Sequence, residues 1–395
     1  MWRSVLLLAS IVALTPLAID MYLPAMPSMA RDFSTPLSTI QGSMSTFLIG
    51  FAIGQLIHGP LTDALGRRPI ALLGLTIFSL SSFYLANVTT PNEFLWVRVL
   101  QALGGASGSV VINAIITDRY RGHEAIVVRS TIIMVMTLAP MLAPTLGGML
   151  LHFFGWRSIF VFLGAWSLMV LLWSFFALKE SNKHRHALNF GNIKNNYLSV
   201  VKRPLLWPWL LGMALNSGAF FAFLTASPYV YIEVLKIDPQ SFGFYFGANV
   251  VVMMLGAAFN SRLARLFGPR TVLRKAQHCQ LAAISTLVIC VSMDIVSLWL
   301  LVPLCAIFMG LNSFVFPNAS SLLLERFSMN AGTTSALLGA TQFAMGALFS
   351  IAVAQGHGDG AAPMVIAMFF GGLCAHILIG RGLKLLATGD VKQHA

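Results

Sequence analysis

The sequence predicts an all-α membrane protein with twelve transmembrane helices, six in each half of the chain. Of its 395 residues, 57% are apolar and only 10% are charged, whereas soluble domains carry roughly 25% charged residues. The mean hydropathy is +0.79, and apolar runs recur from one end of the chain to the other. These runs have the length of membrane-spanning helices, since about 20 mostly apolar residues cross a bilayer.

The runs of the first half predict helices over Ser4–Met26, Ser38–Leu61, Pro69–Asn87, Phe94–Asp118, Ser130–Phe153 and Arg157–Leu178. Those of the second half predict helices over Leu205–Tyr231, Ser241–Leu266, Ala276–Met293, Ser297–Leu324, Thr333–Gln355 and Pro363–Arg381. The first run lacks a small-residue cleavage site, so we read it as an uncleaved helix and not as a secretory signal. The ninth is the weakest because it is short and contains Gln277 and Gln280.

The longest polar stretch, from Lys179 to Arg203, divides the runs into six and six. We therefore expect an N-terminal bundle over residues 1–178, a cytoplasmic linker over 179–204 and a C-terminal bundle with a short cytoplasmic tail over 205–395.

The net charge of +12 is placed asymmetrically. With the N-terminus inside, all 25 lysines and arginines fall on the cytoplasmic side except Arg31, Arg98, Arg157 and Lys236. This agreement with the positive-inside rule predicts that both termini are cytoplasmic and explains the basic balance without a nucleic-acid partner. The four cysteines lack metal-binding spacing, so we expect neither a metal nor a cofactor.

A carboxylate, Asp20, lies inside the first predicted helix, in the segment LAIDMYLPAMP. An ionised group at mid-bilayer costs at least about 2.5–3.5 kcal/mol, so such groups normally face a cavity or a partner. Asp20 lies about 24 Å above the inner end of its helix, and Arg98 lies about 6 Å below the outer end of the fourth helix. Both reach the outer half of the membrane, which makes pairing geometrically possible. Two hypotheses stay open: a proton carrier, or a permanent ion pair that fixes helix packing.

The loop between the second and third runs reads GPLTDALGRRPI. Its glycines allow a tight turn between two packed helices. Asp63 and Arg67 would form a charged pair just outside the hydrocarbon, close enough to the helix ends to interact with their dipoles. The spacing favours a conformational latch over ordinary basic anchors at the membrane surface.

Several segments together resemble the major facilitator superfamily. The loop is similar to the signature G-x-x-x-D-R-x-G-R-R, with matches at Gly59, Asp63, Gly66, Arg67 and Arg68 and with Ala64 in place of arginine. The segment RVLQALGG is similar to the R-x-x-Q-G motif, although Ala102 replaces its glycine. LAPMLAPTLGG resembles the antiporter motif G-P-x-x-G-G, with Ala143 in place of a glycine. IDMYLPAMP and the double AP resemble drug:proton antiporters of the bicyclomycin/chloramphenicol-resistance (Bcr/CflA) subfamily.

The resemblance implies two pseudo-symmetric six-helix bundles and a role for each motif. It implies proton coupling at Asp20 and Arg98, and close packing or bending of the fifth helix at Pro140, Pro144, Gly147 and Gly148. It implies a latch that stabilises the outward-open state, formed by Asp63, Gly66, Arg67, Arg68 and Asp118. A fainter counterpart, NSRLARLFGPR, occupies the matching loop of the second half, with Asn260 where the first half has Asp63.

In this superfamily the substrate cavity lies between the two halves near the midplane. The candidate lining residues are Tyr22, Asn216, Phe220, Phe223, Tyr245, Asn249, Asn312 and Gln342. Aromatic rings can stack on flat amphipathic compounds, although plain core packing remains the alternative for each of them. No second buried acid is evident, which favours neutral, zwitterionic or anionic substrates over dications.

Together these observations predict a proton-coupled exporter of small amphipathic compounds, a multidrug antiporter in the bacterial inner membrane. The alternative is a narrow exporter of an endogenous metabolite, such as a siderophore, a nucleoside or an amino-acid derivative. An enzyme is disfavoured because the runs contain no clustered catalytic or metal-ligand set, and a sensor is disfavoured because no soluble domain is appended. The expected partners are the substrate, protons and the lipid bilayer, and we expect a monomer.

Overall fold

The computed structural model describes residues 2–182, 190–327, 331–356 and 360–393, and every regular element in these ranges is a helix. The first half contains α1 (Trp2–Asp20), α2 (Met26–Asp32), α3 (Leu37–Leu65), α4 (Arg67–Leu85), α5 (Pro91–Arg119), α6 (Gly122–Phe154) and α7 (Arg157–Ala177). The second contains α8 (Phe190–Val201), α9 (Leu206–Pro228), α10 (Pro239–Phe267), α11 (Pro269–Ser292), α12 (Leu298–Arg326), α13 (Ala331–Gln355) and α14 (Ala362–Gln393).

Eleven spans in the described ranges are long and apolar enough to cross a membrane. The first combines α1 and α2, and the seventh extends α9 through a π-helical turn, Tyr229–Val234. Two helices lie outside these spans: α8, which has only 12 residues, and α11, the weak ninth run. Helix α11 buries Gln277 and Gln280 but packs against α12 and α14. Gln280 Nε2 donates to the carbonyl of Phe308 at 3.2 Å, which compensates its burial. The predicted all-α architecture of twelve helices is confirmed.

The chain forms two compact units. Residues Met1–Asn189 and Tyr231–Gly247 form the first unit, and Phe190–Val230 and Ala248–Ala395 form the second. Two segments differ from the boundaries that we expected. Tyr231–Gly247, expected in the C-terminal bundle, packs with the first unit, and α8, expected in the linker, packs with the second. Residues 183–189 of the predicted linker lie outside the described residues.

In the first unit, α5 packs against both α3 and α4, and α1 packs against α6 and α7. Five aromatic rings lie where α2 meets the beginnings of α5 and α7: Tyr22, Phe33, Phe94, Trp156 and Phe160. The rings of Phe94 and Phe160 meet edge to face with centroids 5.5 Å apart, a favourable arrangement. This cluster holds in place the segment that follows Asp20.

In the second unit, α9 packs against α13 and α14, with the fully buried Trp209 in the core. Val200 of α8 belongs to the same core, as does Phe327 at the end of α12. Trp207 Nε1 donates to the carbonyl of Val201 at 3.0 Å. These contacts explain why α8 packs as part of this unit.

Candidate functional site

Asp20 is the last residue of α1, because two prolines follow it. Pro24 has no N–H to donate to the carbonyl of Asp20, so the chain leaves the α-helix through a 3₁₀ turn, Leu23–Ala25. Asp20 is 3% exposed, and its Oδ1 has no hydrogen-bond partner among the residues that the structure describes. A buried carboxylate oxygen without a partner is a candidate position for binding a proton.

Arg98 of α5 is fully buried beside the same turn of α1. Its Nη1 donates to the carbonyl of Ala18 at 3.1 Å and to Oε1 of Gln101 at 2.5 Å. The guanidinium lies between the rings of Tyr22 and Phe47, at 4.4 and 4.3 Å from their centroids, so two cation–π contacts stabilise its charge.

Arg98 contacts the last turn of α1, which ends at Asp20, but the two side chains do not form an ion pair. None of the three ion pairs within 4.0 Å in the described ranges joins them. Arg98 instead binds the carbonyl of Ala18, two residues before Asp20. The described residues therefore contain no ion pair between Asp20 and Arg98. This finding argues against the second hypothesis, a permanent ion pair that fixes helix packing.

The R-x-x-Q-G match included Gln101, but sequence reasoning did not predict its contacts and missed Ser43 and Ser82. Gln101 Nε2 donates a hydrogen bond to Ser82 Oγ at 2.8 Å. This bond orients the Gln101 amide so that its Oε1 accepts the hydrogen bond from Arg98. The hydroxyl of Tyr22 shares a 3.1 Å hydrogen bond with Ser43 Oγ. The spacing of Gln101, one helical turn after Arg98, could have indicated its contact. Nothing in the sequence pattern singles out Ser43 or Ser82.

The signature loop brings Asp63, Arg67 and Asp118 together. Gly66 connects α3 to α4 with φ of +107°, a conformation that favours glycine. This turn places Arg67 Nη1 at 2.5 Å from Asp63 Oδ1 and Arg67 Nε at 3.1 Å from Asp118 Oδ2. The Arg67 side chain is only 11% exposed, so its two ion pairs are partly shielded from water.

Glu180 joins this loop although we did not predict it as a site residue. Its carboxylate accepts the backbone N–H of Arg67 at 2.9 Å and of Arg68 at 3.2 Å, which are the free donors at the start of α4. It also accepts the backbone N–H of Ser181 and Asn182, each at 2.9 Å. Burial raises the pKa of Glu180, but the four backbone donors outweigh it and hold the pKa below its ordinary value. Glu180 thus remains an anion at the positive end of the α4 dipole.

The residues around Glu180 extend the network. Ser181 Oγ donates to Asp118 Oδ2 at 3.0 Å, and Asn182 Nδ2 donates to the carbonyl of Asp63 at 2.9 Å. Arg68 Nη2 donates to the carbonyl of Phe175 at 2.7 Å, close to the end of α7. The signature loop is therefore bound to α5 and to the segment that follows α7.

The structure changes our alignment of the signature loop with the matching loop of the second half. Gly268 precedes α11 with φ of +79°, as Gly66 precedes α4. Counting back three residues from each glycine pairs Asp63 with Arg265 and not with Asn260. Asn260 Oδ1 instead accepts a hydrogen bond from Asn318 Nδ2 at 2.7 Å. The second loop thus carries a cation at the position where the first carries an anion.

The antiporter motif lies on α6, which contains Pro140 and Pro144 within the helix. One turn further, a Cβ on Gly147 would overlap the carbonyl oxygen of Met21, the residue after Asp20. A Cβ on Gly148 would lie 3.3 Å from the carbonyl oxygen of Pro239. Glycine thus lets α6 approach the backbone beside Asp20 directly.

The candidate cavity residues fall into both units. Tyr22 and the half-buried Tyr245 belong to the first, whereas the second contains Asn216, Phe220, Phe223, Asn249, Asn312 and Gln342. The structure joins two of them directly, since Asn216 Nδ2 donates to Asn312 Oδ1 at 2.5 Å. Phe220 is half-buried and meets Phe221 edge to face at 5.5 Å. Phe223 is fully buried, as a core residue would be.

A sequence profile described as the Major Facilitator Superfamily matches residues 8–350. The chain belongs to the Major Facilitator Superfamily. The facilitator is 32% identical to a "Bicyclomycin resistance protein homolog" of Haemophilus influenzae, over 95% of this chain and 94% of that protein. It is 33% identical to a "Chloramphenicol resistance protein" of Pseudomonas aeruginosa, over 71% and 68% of the two chains. It is 30% identical to "Multidrug resistance protein MdtL" of Escherichia coli, over 98% of each. The resemblance to the Bcr/CflA subfamily is confirmed.

Solved structures of this superfamily share the fold of the facilitator. A crystal structure of a D-xylose–proton symporter has a TM-score of 0.74 at 14% identity, covering 95% of this chain and 97% of that one. A bacterial homologue of the human lysosomal transporter Spinster has a TM-score of 0.75 at 15% identity, covering 96% of each chain. The facilitator is a multi-pass membrane protein of a family that moves small molecules across membranes.

Proposed function

We propose that this facilitator exports small amphipathic compounds in exchange for protons. The observation that carries the proposal is the buried Asp20 carboxylate at the end of α1. Its Oδ1 has no hydrogen-bond partner in the described part of the chain. The relatives whose names refer to bicyclomycin, chloramphenicol and multidrug resistance support drugs as the exported class. Asp20 binds the proton, and Arg98 holds the adjacent turn of α1 by its bond to Ala18.

The coupling mechanism follows from the surroundings of Asp20. The proton affinity of a carboxyl depends on its burial and on nearby charge. A movement of α1 against α5 changes both, since Arg98 belongs to α5 and binds the last turn of α1. One pKa unit corresponds to about 1.36 kcal/mol, so a swing of two or three units suffices to couple transport to a physiological proton gradient.

The test uses wild-type protein in proteoliposomes with a pH-sensitive dye inside. We expect chloramphenicol, bicyclomycin and unrelated amphipathic drugs each to evoke proton movement, which an ionophore that collapses the proton gradient removes. A response to one endogenous metabolite alone would favour the narrow exporter instead. Silence across drugs and metabolites would count against proton-coupled transport of either kind.

We also propose that the network of Asp63, Arg67 and Asp118 stabilises the outward-open state. Arg67→Gln removes both ion pairs, and among the described residues Asp118 keeps its hydrogen bond from Ser181. Loss of a partly buried charged contact costs about 1–3 kcal/mol, so we expect transport turnover to fall about tenfold or more. The matched control is Arg121→Gln, since Arg121 is exposed at the turn before α6. Wild-type turnover in Arg67→Gln would refute the latch.

The charge asymmetry supports an inner-membrane location with both termini in the cytoplasm. Protease accessibility of a tag fused after Ala395, compared between right-side-out and inverted vesicles, checks this orientation. We also propose that the transporter acts as a monomer. The mass of the detergent-solubilised protein measured by light scattering checks that expectation.

A further inference from the structure

A cavity of about 440 Å³ lies in the first unit, between α2 and the turn that connects α6 to α7. Its volume falls in the range of about 300–1,000 Å³ that is typical of pockets for small ligands. The side chains that line it come from α2 and from the ends of α6 and α7: Ser28, Arg31, Asp32, Phe154, Trp156 and Arg157. None of them belongs to the proton site, the signature loop or the antiporter motif.

The Asp32 carboxylate fixes the position of Arg157 at the wall of the cavity. Asp32 Oδ2 accepts hydrogen bonds from Arg157 Nη1 at 2.6 Å and from Trp156 Nε1 at 3.1 Å. The Arg157 guanidinium also lies 4.3 Å from the centroid of the Trp156 ring, and Trp156 itself is only 4% exposed. A guanidinium has five N–H donors, so the bond to Asp32 leaves other donors of Arg157 for a ligand.

Arg31 adds a second cation to the same cavity. Its side chain is exposed, and it belongs to none of the ion pairs found within 4.0 Å in the described ranges. Asp32 is the only acid among the described residues that line the cavity, and it compensates the charge of Arg157. The cavity therefore keeps one uncompensated positive charge, which attracts an anion.

Basic residues are rare on this side of the protein. With the N-terminus inside, the lysines and arginines that fall outside are Arg31, Arg157 and Lys236. Two of these three line one cavity. Since the positive-inside rule disfavours arginine in short outer loops, this concentration of charge indicates a role in binding and not a solvated surface.

The cavity lies at the level where the membrane-spanning segments end. The first span, Trp2–Asp32, and the fifth, Val127–Phe154, both end at it, and the sixth, Arg157–Ala177, begins there. Phe153 and Phe154 at the end of α6 are 71% and 75% exposed. The cavity thus has arginines at the depth of lipid headgroups and an apolar border towards the hydrocarbon, which together suit an amphipathic anion.

We propose that this cavity binds the phosphodiester headgroup of an anionic phospholipid in the outer leaflet. Arg31 supplies the uncompensated charge, and Arg157 supplies N–H donors in the fork geometry that suits phosphate oxygens. The Ser28 hydroxyl lies in the same cavity and can donate to the phosphate. Phe153 and Phe154 contact the acyl chains. The inference goes beyond the proposed function and does not depend on transport.

The net charge of the headgroup decides which phospholipid binds. Phosphatidylglycerol carries one negative charge, which matches the one uncompensated positive charge of the cavity. Phosphatidylethanolamine has the same phosphate but also an ammonium group, which would lie close to Arg31. The net charge of this headgroup is zero, so it gains little from the cavity.

The test measures lipid binding to the purified full-length transporter by native mass spectrometry. Phosphatidylglycerol and phosphatidylethanolamine with identical acyl chains are titrated separately. We expect wild type to bind phosphatidylglycerol about tenfold more tightly. Arg31→Gln should weaken phosphatidylglycerol about tenfold and leave phosphatidylethanolamine within twofold of wild type. Arg31 has no ion pair in the described ranges, so this variant should keep the wild-type melting temperature.

The matched control is Lys236→Gln, which removes one exposed positive charge on the same side of the membrane but outside the cavity. We expect it to leave both affinities within twofold of wild type. Equal weakening of phosphatidylglycerol by both variants would show a general effect of charge and would overturn the site. Equal affinity of wild type for the two lipids would also overturn it.

Inorganic phosphate distinguishes a lipid from a soluble anion as the ligand. At the same concentration as the lipid, it should not displace phosphatidylglycerol, because it lacks the acyl chains that contact Phe153 and Phe154. Displacement by inorganic phosphate would overturn the lipid assignment in favour of a soluble phosphate. Drug-evoked proton flux is measured separately, so failure of the lipid site leaves the proposed function standing.

Discussion

Asp20→Asn should abolish substrate-evoked proton flux in proteoliposomes, with a loss of at least about a hundredfold. Asparagine has nearly the shape of aspartate and can occupy the same buried position at the end of α1, but it cannot carry a proton at physiological pH. Binding of neutral substrates should persist, because the substitution removes a titratable group and adds no bulk. The measurement is internal pH after substrate addition, with substrate binding measured in parallel.

The matched control is Asp294→Asn, the same chemical change at an exposed residue between α11 and α12. We expect it to retain flux within twofold of wild type. Proton flux that survives in Asp20→Asn would assign the coupling proton to another group and leave Asp20 with a structural role.

Gly147→Ala should destabilise the protein by at least about 3 kcal/mol, the upper end of the range for overpacking. The new methyl group would overlap the carbonyl oxygen of Met21, and a backbone atom cannot move aside as a flexible side chain can. Helices α6 and α1 would have to separate beside Asp20. We therefore expect a lower melting temperature in detergent and loss of transport by the fraction that remains folded.

Gly380→Ala on α14 provides the control, because a Cβ there would meet no atom within 4 Å. Since alanine favours a helix more than glycine by about 0.5–1 kcal/mol, this variant should be as stable as wild type or slightly more stable. A wild-type melting temperature for Gly147→Ala would show that α6 can move away from Met21 at little cost, contrary to the packing described.

The signature loop shows how far motif spacing can predict contacts. The spacing of Asp63, Gly66 and Arg67 indicated a charged turn, because all three belong to one short segment. Glu180 was missed because it lies more than a hundred residues away, and only the packing of α4 against α7 brings it to the start of α4. Without knowledge of that packing, Glu180 is one acidic residue after Lys179 at the start of a polar stretch, which is typical of a solvated linker.

The matching loop of the second half shows where motif spacing is not enough to establish an alignment. Its loop contains several basic residues and one asparagine, so sequence similarity alone allowed more than one alignment. The positive φ of Gly268 identifies the turn and places Arg265 three residues before it. Backbone conformation decided this register, because a glycine and a short run of basic residues are compatible with several registers.

The amino-acid sequence is enough to predict the membrane class, the twelve helices and the isolation of Asp20 and Arg98 among apolar residues. These properties are local, since hydropathy over about 20 residues is enough to predict a spanning helix. It also indicated that Asp20 and Arg98 reach similar depths, because helical rise converts residue count into distance. The partners of Arg98 depend on tertiary packing; they are the Ala18 carbonyl, Gln101 and two aromatic rings. Rotation of each helix about its axis decides which side chains meet, and that rotation is set by packing among several helices at once.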